Sequence, residues 1–525
     1  MSSFGGGGQR SSGSSRTGGR GGRGGRHHSG GRGSYHHHGD GGPTSGGGKG
    51  RLTACRNYIS GGTCSHGDNC SFSHAVKLHA CMDGSNVPST HQQQQQQQYG
   101  SSRSSSYTNG YSSPSSKGTT TTGLPEDSQA MAVSSVALWE DSASIIKIFS
   151  GSYDGHWRLW NTAANFSREF EHCMSPTSKV NVVRVSSHQN LYVAFDSPIP
   201  GIIPLAYVGM VHIWNLLMPQ QPPIELHLQP GLAPYANGMG VSSLLPLSDN
   251  TLLTGGRDGS IGIWSLQQQQ QQQQQQLTSM GPAPTEITTT ICYRQSKLLL
   301  GHAREVTALL SVTTNTAATP TPTTVPTTTT TVLWSSSTDG TIRLWDIAGG
   351  VCLCVLSSDT KDSQGRLVGH TSAVTSLRLW ESAEFGNYVL SAGLDGCIKA
   401  WSTEGVLIAS SSDTLHAPTT TTSHPATATT TTNGVVCMAI SHDAQSQPLL
   451  LCGLMNGEIA IRSIKQTSTT PAFTLLMTLN SRYLGCGHLF GAVRCLETGP
   501  HSTFYSGGED GKLNVWQVTG DFGLQ

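Results

Sequence analysis

From residue 130 to the C-terminus, short apolar runs alternate with polar, glycine-rich turns. In a typical run, Ile342 to Trp345, large apolar residues flank Arg343 with the period of two that is typical of a half-buried β-strand. The Asp339-Gly340 dipeptide before it closes tight hairpins, because glycine adopts positive φ at little cost. The pattern therefore predicts a succession of antiparallel hairpins and an all-β fold.

These hairpins recur as a sequence repeat. Five copies share an Asp-Gly dipeptide whose aspartate precedes a tryptophan by six residues: Asp154 and Trp160, Asp258 and Trp264, Asp339 and Trp345, Asp395 and Trp401, Asp510 and Trp516. Two weaker copies fill the gaps, with Val208-Gly209 before Trp214 and Asn456-Gly457 before Arg462. One hairpin cannot bury both of its faces, so seven such units must pack against one another around a ring.

Closing this ring needs one more strand. Only nine residues follow Trp516, enough to finish one strand but hardly two. We therefore expect the outermost strand of the last unit to come from a segment before Met131. A loss of thermal stability on deletion of residues 115–130 is the test.

Composition divides the chain into four parts. Residues 1–50 are glycine, serine and dispersed arginine, 51–80 contain a Cys/His motif, 81–129 are rich in Gln, Ser and Thr, and 130–520 carry the repeat. The first and third parts have too few apolar residues to offset the conformational entropy of folding, so we expect a disordered arm and a disordered linker. Three Gln- or Thr-rich insertions fall between predicted strands and should form solvated loops: 267–276, 313–331 and 413–433.

Charge is spread unevenly over this organisation. The formal net charge is zero, yet residues 1–81 carry ten Lys and Arg against only Asp40 and Asp68. The rest of the chain carries 21 basic and 29 acidic residues. A basic N-terminal part indicates that an anionic partner binds there. The alternative is an arm whose charge only keeps it soluble.

The Cys/His motif has the spacing of a metal site. Cys55, Cys64, Cys70 and His74 read C-x8-C-x5-C-x3-H. Three thiolates and one imidazole make a closed tetrahedral shell, which suits one structural Zn²⁺ rather than a catalytic metal that needs an open position. Few apolar residues surround the motif, so the metal must supply its folding energy.

The motif resembles CCCH-type zinc fingers, a family that commonly binds single-stranded RNA. Tyr58 and Phe72 occupy positions that are aromatic in that family, and single strands are held by aromatic platforms together with cations. The RNA-contact candidates are these two aromatic residues and six cations in and before the finger: Tyr58, Phe72, Arg51, Arg56, Lys77, Arg20, Arg23 and Arg26. The alternative is that Tyr58 and Phe72 pack against the zinc site.

The repeat region resembles WD40-repeat propellers, whose Gly-His dipeptide is matched at Gly301-His302, Gly369-His370 and Gly487-His488. The resemblance implies seven blades and three buried His–Ser–Asp–Trp networks. Their members are His302, Ser335, Asp339 and Trp345; His370, Ser391, Asp395 and Trp401; and His488, Ser506, Asp510 and Trp516. Because such groups recur from blade to blade, mutual hydrogen bonding explains them better than catalysis does.

Finger and propeller together resemble the plant-type zinc-finger/WD-repeat proteins, which implies an RNA-associated protein without catalysis. We therefore expect a non-catalytic adaptor in which the finger and the Arg-Gly-Gly arm contact single-stranded RNA, or nucleic acid generally, and the propeller faces bind protein partners. No GxSxG, Walker-type or HExxH sequence occurs, so we expect neither a catalytic residue nor a small-molecule substrate.

Two alternatives to an RNA-binding adaptor remain. One is a protein-only scaffold. The other is a substrate receptor for a ubiquitin ligase, a role of some WD40 propellers that carry a Trp-Asp-x-Arg motif. Here Trp345-Asp346 is followed by Ile347 and Ala348, so that motif is not matched.

The same sequence bears on location. The first twenty residues contain no apolar core, and the most apolar run, Leu205 to Met218, is 14 residues long and contains His212 and Asn215. We therefore expect neither a signal peptide nor a membrane span. Thirteen cysteines without disulfide-like spacing indicate a reducing compartment. We expect a nuclear or, less favoured, a cytoplasmic protein.

Overall fold

Most of the predicted finger and propeller is described by a computed structural model of the chain. The described residues are 54–84, 131–187, 189–198, 207–226, 240–248, 250–272, 287–315, 329–363, 365, 367–382, 386–411, 433–467, 470–480, 488, 490–520 and 522. The predicted arm, residues 85–129 of the predicted linker and nearly all of the insertion at 413–433 lie outside them. No helix among the described residues is long and apolar enough to cross a membrane.

The first described elements belong to the Cys/His motif and to the segment that follows it. They are helix α1 (Arg56–Gly61), a single 3₁₀ turn (Gly67–Asn69) and strand β1 (Val76–Asp83).

Seven four-stranded antiparallel sheets contain all the described strands, and we number them as blades 1 to 7 in chain order. Blade 1 consists of β2 (Val133–Glu140), β3 (Ile146–Ser152), β4 (His156–Asn161) and β5 (Ser167–Cys173). Blade 2 consists of β6 (Lys179–Val185), β7 (Asn190–Pro198), β8 (Tyr207–Asn215) and β9 (Ile224–Glu225). Blade 3 consists of β10 (Val241–Ser248), β11 (Thr251–Gly256), β12 (Ile261–Gln272) and β13 (Ile287–Leu299).

The remaining blades follow the same order. Blade 4 consists of β14 (Val306–Asn315), β15 (Thr329–Ser337), β16 (Ile342–Asp346) and β17 (Val351–Leu356). Blade 5 consists of β18 (Val374–Ser382), β19 (Gly386–Gly393), β20 (Ile398–Ser402) and β21 (Leu407–Ser411). Blade 6 consists of β22 (Val435–His442), β23 (Pro448–Leu454), β24 (Ile459–Thr467) and β25 (Thr470–Leu479). Blade 7 consists of β26 (Val493–Thr498), β27 (Thr503–Gly508), β28 (Lys512–Val518) and, at its outer edge, β1. The predicted all-β, seven-bladed propeller is confirmed.

The Asp-Gly turns form as predicted. At the β15–β16 turn Gly340 has φ +83°, and the carboxylate of Asp339 accepts the backbone N–H of Thr341 at 2.8 Å. Blade 2 departs from the prediction, because Val208 and Gly209 are paired within β8 and do not form a turn. A β-branched valine suits an extended strand rather than a tight turn.

The core lies between adjacent blades. Each buried tryptophan of the repeat packs against the blade before it: Trp345 of blade 4, for example, lies in one apolar cluster with Leu253 and Ile261 of blade 3. Trp160 of blade 1 lies in a cluster with Leu513 of blade 7, so the same packing closes the ring. Blades therefore stabilise one another around the whole circle.

A hydrogen bond between inner strands accompanies this packing at every interface. At five interfaces, the residue after a buried valine donates to the carbonyl of the corresponding valine in the next blade: Ser134 to Val180 (2.6 Å), Asn181 to Val241 (3.0 Å), Ser242 to Val306 (2.8 Å), Thr307 to Val374 (2.5 Å) and Thr375 to Val435 (2.7 Å). The two interfaces of blade 7 use thiols from one position further on: Cys437 to Val493 (3.4 Å) and Cys495 to Val133 (3.9 Å). Thiols are weaker donors than hydroxyls.

The ring is closed by β1. It pairs antiparallel with β28, from Val76 opposite Val518 to Asp83 opposite Lys512. The expectation that the closing strand comes from before Met131 is therefore confirmed. The strand is 76–83, however, and residues 115–130 lie outside the described residues.

This strand also corrects the predicted division of the chain. The boundary that we placed between finger (51–80) and linker (81–129) falls inside β1, so residues 81–83 belong to the propeller. The apolar residues at 76, 78, 80 and 82 do alternate with period two. Because they directly follow the metal motif, the sequence alone assigned most of them to the finger.

Two predicted loop insertions begin as strands. The backbone of residues 267–272 continues β12 and pairs with residues 287–292 of β13. Residues 313–315 likewise pair with 329–331 in blade 4. The hairpins thus continue into the Gln- and Thr-rich sequences, whose remaining residues lie outside the described part of the chain.

Candidate metal centre

Two short turns bring the predicted ligands together. Helix α1 starts directly after Cys55 and ends at Gly61. Gly62 follows with a left-handed φ of +68° and leads the chain toward Cys64. The 3₁₀ turn then leads into Cys70. A backbone hydrogen bond from the N–H of Cys55 to the carbonyl of Ser73, 2.9 Å long, holds the first ligand beside the segment that carries the last.

The four ligand side chains converge. One ligand atom each of Cys55, Cys64, Cys70 and His74 lies within 4.8 Å of every other. A tetrahedral shell with Zn–S bonds of ~2.3 Å needs separations of about 3.8 Å, so a small contraction around the ion is sufficient. The Nε2 atom of His74 is buried and has no hydrogen-bond partner among the described residues, as expected of a nitrogen that binds a metal. The donor set therefore fits zinc.

The local electrostatics favour a bound cation. The pKa of Cys64 is lowered to about 6, chiefly because the backbone N–H of His66 donates to its sulfur. Burial raises the pKa of Cys55, whose proton a metal ion would displace. A lowered pKa favours the thiolate of Cys64, the form that binds metal.

Tyr58 packs against the metal site. Its ring stacks on the imidazole of His74, with centroids 4.5 Å apart and planes inclined by 16°. Its hydroxyl donates to Oγ1 of Thr519 at 3.0 Å, and that hydroxyl donates to the carbonyl of His74 at 3.0 Å. These contacts match the alternative in which Tyr58 supports the zinc site, and its contact with a base stays a prediction.

The other predicted RNA contacts are spread over the finger. Phe72 exposes 48% of its surface, and Arg56 is exposed on α1. Lys77 is half-buried on β1, with Cε 3.1 Å from the position that a Cβ would take at Gly62. The other four cations, Arg51, Arg20, Arg23 and Arg26, lie outside the described residues.

The finger packs directly on the propeller, which the sequence did not predict. Ile59 of α1 is fully buried and lies with Ala54 and Val76 in one apolar cluster that includes Trp516 of blade 7 and Met477 of blade 6. A lone isoleucine between two cysteine ligands was the signal for this contact. Beyond β28, the N–H of Thr519 donates to the carbonyl of Ala75 at 2.8 Å.

The three predicted His–Ser–Asp–Trp networks are confirmed. Between His302 Nε2 and Ser335 Oγ the distance is 2.7 Å, His302 Nδ1 lies 3.2 Å from Asp339, and Trp345 Nε1 donates to Ser335 Oγ at 2.8 Å. The networks of His370 and His488 repeat this arrangement. Burial raises the pKa of Asp339, but hydrogen bonds from His302, Thr341 and backbone N–H groups outweigh it, and the net pKa is below the ordinary value.

Geometry distinguishes these networks from a catalytic triad. A serine nucleophile must be accessible to substrate and be activated by a histidine. Ser335, Ser391 and Ser506 are each fully buried, and each accepts a hydrogen bond from a tryptophan. Their role in the described structure is to connect the second and third strands of a blade with the loop before its first strand.

Comparison with known families agrees with both regions. A family described as zinc finger C-x8-C-x5-C-x3-H type (and similar) matches residues 51–76. A family described as WD domain, G-beta repeat, matches residues 121–161, 235–265, 361–402 and 476–517, which correspond to blades 1, 3, 5 and 7. No curated protein matches the chain. Cys55, Cys64, Cys70 and His74 are thus positioned as the zinc-binding site of a CCCH finger, and the seven sheets form a WD40-type propeller.

Proposed function

We propose that this protein is a non-catalytic, nuclear RNA-binding adaptor. Its finger and Arg-Gly-Gly arm bind single-stranded RNA, and its propeller binds protein partners. The observation that carries the proposal is the exposed ring of Phe72, two residues from a zinc ligand on a finger whose other aromatic ring, that of Tyr58, supports the metal site.

Charge and aromatic surface support the RNA half of the proposal. Single-stranded nucleic acid is bound by stacking on aromatic rings and by cations that follow the phosphates. Phe72 supplies a ring, Arg56 is exposed on the same finger, and Lys77 lies at its border with β1. The first 81 residues also carry the basic excess of the chain.

The protein-binding half is supported by the outer edge of blade 4. On β17, Val351, Leu353 and Val355 expose 57%, 58% and 40% of their surfaces. An exposed apolar outer strand favours protein contact, since the edge of a sheet offers unpaired backbone groups and apolar side chains together. Phosphate backbones would select cations instead.

Full-length, zinc-loaded protein is the sample for the test. Residues 1–90 alone would lack β28, the partner of β1, so a fragment would test a different structure. Fluorescence anisotropy with a single-stranded RNA pool over a salt series gives the affinity. Phe72→Ala should weaken binding about tenfold, in line with ~1–3 kcal/mol per stacked base. Phe170→Ala, which also removes a ring that is 48% exposed but lies on blade 1, should not change it.

Two further variants assign the binding to a region. Cys70→Ser removes a zinc ligand and should abolish the contribution of the finger. Replacing Arg20, Arg23 and Arg26 by alanine should reduce the salt dependence, because fewer counterions are released on binding. Binding that survives Cys70→Ser would belong to the arm alone. No binding by the intact protein would instead favour the protein-only scaffold, and co-purifying ligase subunits would favour the ubiquitin-ligase receptor.

A further inference from the structure

We propose that the zinc site has a second function: it holds in place the strand that closes the propeller, so that zinc occupancy controls the closure of the ring. This proposal depends on the metal site and on β1, and it holds whether or not the finger binds RNA.

Metal ligand and closing strand are almost adjacent in the chain. Only Ala75 separates His74 from Val76, the first residue of β1. The segment beyond β28 binds this junction twice, because the N–H of Thr519 donates to Ala75 at 2.8 Å and its hydroxyl donates to His74 at 3.0 Å. Fixing His74 on a metal therefore fixes the start of β1.

The opposite end of β1 is held by the β27–β28 turn of blade 7 and by blade 1. Gly84 donates to the carbonyl of Gly511 at 2.9 Å, and its own carbonyl accepts Nη1 of Arg158 at 2.9 Å. Arg158 is itself fully buried and paired with Asp154 at 2.6 Å and Glu171 at 2.7 Å. The strand is thus held between the finger at one end and a buried ion-pair group at the other.

A β-bulge lets β1 serve both interfaces of blade 7. The register with β28 shifts between Leu78 and Ala80. Before the shift, Val76 and Leu78 pack in the cluster shared with blade 6. After it, Ala80 and Met82 pack in the cluster shared with blade 1. A bulge of one residue re-aims the side chains that follow it.

Both of those interfaces have weak hydrogen bonds between inner strands. Where five other interfaces have an amide or a hydroxyl donor, the interfaces of blade 7 have the thiols of Cys437 and Cys495, at 3.4 and 3.9 Å. Val436 and Arg494 occupy the position directly after the buried valine, where the other five interfaces have their amide or hydroxyl donor. Valine has no donor there, and Arg494 is paired with Glu509 instead. Blade 7 therefore depends more on its outer strand than other blades do.

Loss of zinc removes the support of this strand. Small zinc modules obtain their folding energy from the metal, so the finger unfolds without it. Ile59 and Ala54 then leave the apolar cluster of blades 6 and 7. The N-terminal end of β1 loses its support, and the strand is held by its ladder with β28 and, at the far end, through Gly84. A strand released at one end exchanges its backbone hydrogen bonds with water through local opening. Blade 7 is then left with three strands and two weakened interfaces.

Hydrogen exchange followed by mass spectrometry tests this on the full chain. We compare zinc-loaded protein with protein treated with a zinc chelator. Exchange should accelerate by about tenfold or more in β28 and β26 of blade 7 and in β2 of the neighbouring blade 1. It should stay unchanged in β16 of blade 4. A change confined to residues 54–75 would overturn the proposal.

A ligand variant separates the metal from side effects of the chelator. Cys64→Ser in the presence of zinc should reproduce the acceleration in blade 7, because Cys64 is half-buried and lies outside the apolar clusters. Cys173→Ser, at an exposed cysteine on β5 that is no ligand, is the matched control and should behave as wild type. Equal exchange in both variants would overturn the proposal.

A cross-link tests whether β1 is what transmits the effect. Cys81 lies directly opposite Asn514 in the β1–β28 ladder, and cross-strand partners are spaced for a disulfide. Asn514→Cys, oxidised while zinc is bound, ties β1 to β28. Chelation should then accelerate exchange in residues 54–75 but no longer in β28, and reduction with a phosphine should restore the sensitivity. If blade 7 still opens in the oxidised variant, zinc does not act through β1 and the proposal is wrong.

Discussion

The ring of Tyr58 lies flat against the imidazole of His74, 4.5 Å away and inclined by 16°. His74 is a zinc ligand, and the hydroxyl of Tyr58 reaches Thr519, beyond the last strand of the propeller. One tyrosine therefore orients a metal ligand and joins the finger to blade 7. These two contacts give an aromatic residue at this position a structural role of its own.

Two replacements of Tyr58 distinguish its stacking on His74 from its hydrogen bond to Thr519. Tyr58→Ala should lower the zinc affinity about 10–100-fold, the usual effect of removing a group that orients a metal ligand. Tyr58→Phe keeps the stacked ring and loses only the hydrogen bond to Thr519, so it should retain the zinc affinity. Loss of that hydrogen bond should lower the free energy of unfolding by about 0.5–1.5 kcal/mol. Competition with a chromogenic chelator measures the first effect and thermal unfolding the second, and equal zinc affinities for the two variants would contradict this assignment.

Ile59 should stabilise the propeller as well as the finger. It is fully buried against residues of blades 6 and 7, so Ile59→Ala should reduce the unfolding free energy by about 2–5 kcal/mol. Asn57→Ala, at an exposed position of the same helix, is the control and should be close to neutral. The readout is the thermal transition of the whole chain. An unshifted propeller transition would mean that the finger folds independently of it.

A missing hydroxyl at the interface of blades 6 and 7 can be supplied. Val436 occupies the position of Thr307 and Thr375, whose hydroxyls donate to the next blade. Val436→Thr offers a similar donor to the carbonyl of Val493, which accepts the weaker thiol donor of Cys437 at 3.4 Å. We expect a gain of about 0.5–1.5 kcal/mol in denaturant unfolding. Val436→Ala, without a donor, should give no gain, and a gain in both variants would exclude the hydrogen bond as its cause.

Stability should fall at low pH through the aspartates of the buried networks. Burial raises the pKa of Asp395, but hydrogen bonds and charge from His370 lower it more, so the folded state holds the carboxylate ionised more strongly than the unfolded chain does. A depressed pKa contributes stability above the unfolded value of ~3.9, and this stability is lost as pH falls below it. Asp395→Asn should therefore lower stability at neutral pH and flatten the acid limb of the profile.

The control for this pH effect is Asp359→Asn, at an exposed position outside the networks. It should leave the stability profile between pH 7 and pH 3 as in wild type. Parallel profiles for Asp395→Asn and wild type would show that the network does not set the acid limb.

Local sequence patterns predicted much of this molecule. The spacing of Cys55, Cys64, Cys70 and His74 identified the zinc ligands, because a tetrahedral shell needs four donors on a short loop-rich segment. Five Asp-Gly turns and their tryptophans predicted the blades, since tight turns and period-two alternation depend only on residues that are close in the chain. Similarity to known propellers located the three buried networks.

Other features depended on contacts between residues far apart in the chain. Blade 2 lacks the Asp-Gly signal, and its predicted turn at Val208-Gly209 became part of a strand paired with Asp196 and Ser197. Tyr58 forms a hydrogen bond with Thr519, 461 positions away in the sequence, and no local pattern predicts such a pair. The ring of Tyr58, which stacks on a metal ligand, and the exposed ring of Phe72 look alike in sequence, because each is an aromatic residue near the motif.

The sequence by itself determined the zinc ligands, the strand pattern and the number of blades, because each arises from residues that are close in the chain. Only the tertiary structure decided that Val76–Asp83 is the outer strand of blade 7 and that finger and propeller share it. The alternation in that segment predicts a strand but not its partner, because a strand can pair with any exposed sheet edge. That partner is the edge of β28, which lies beside the finger only in the folded chain.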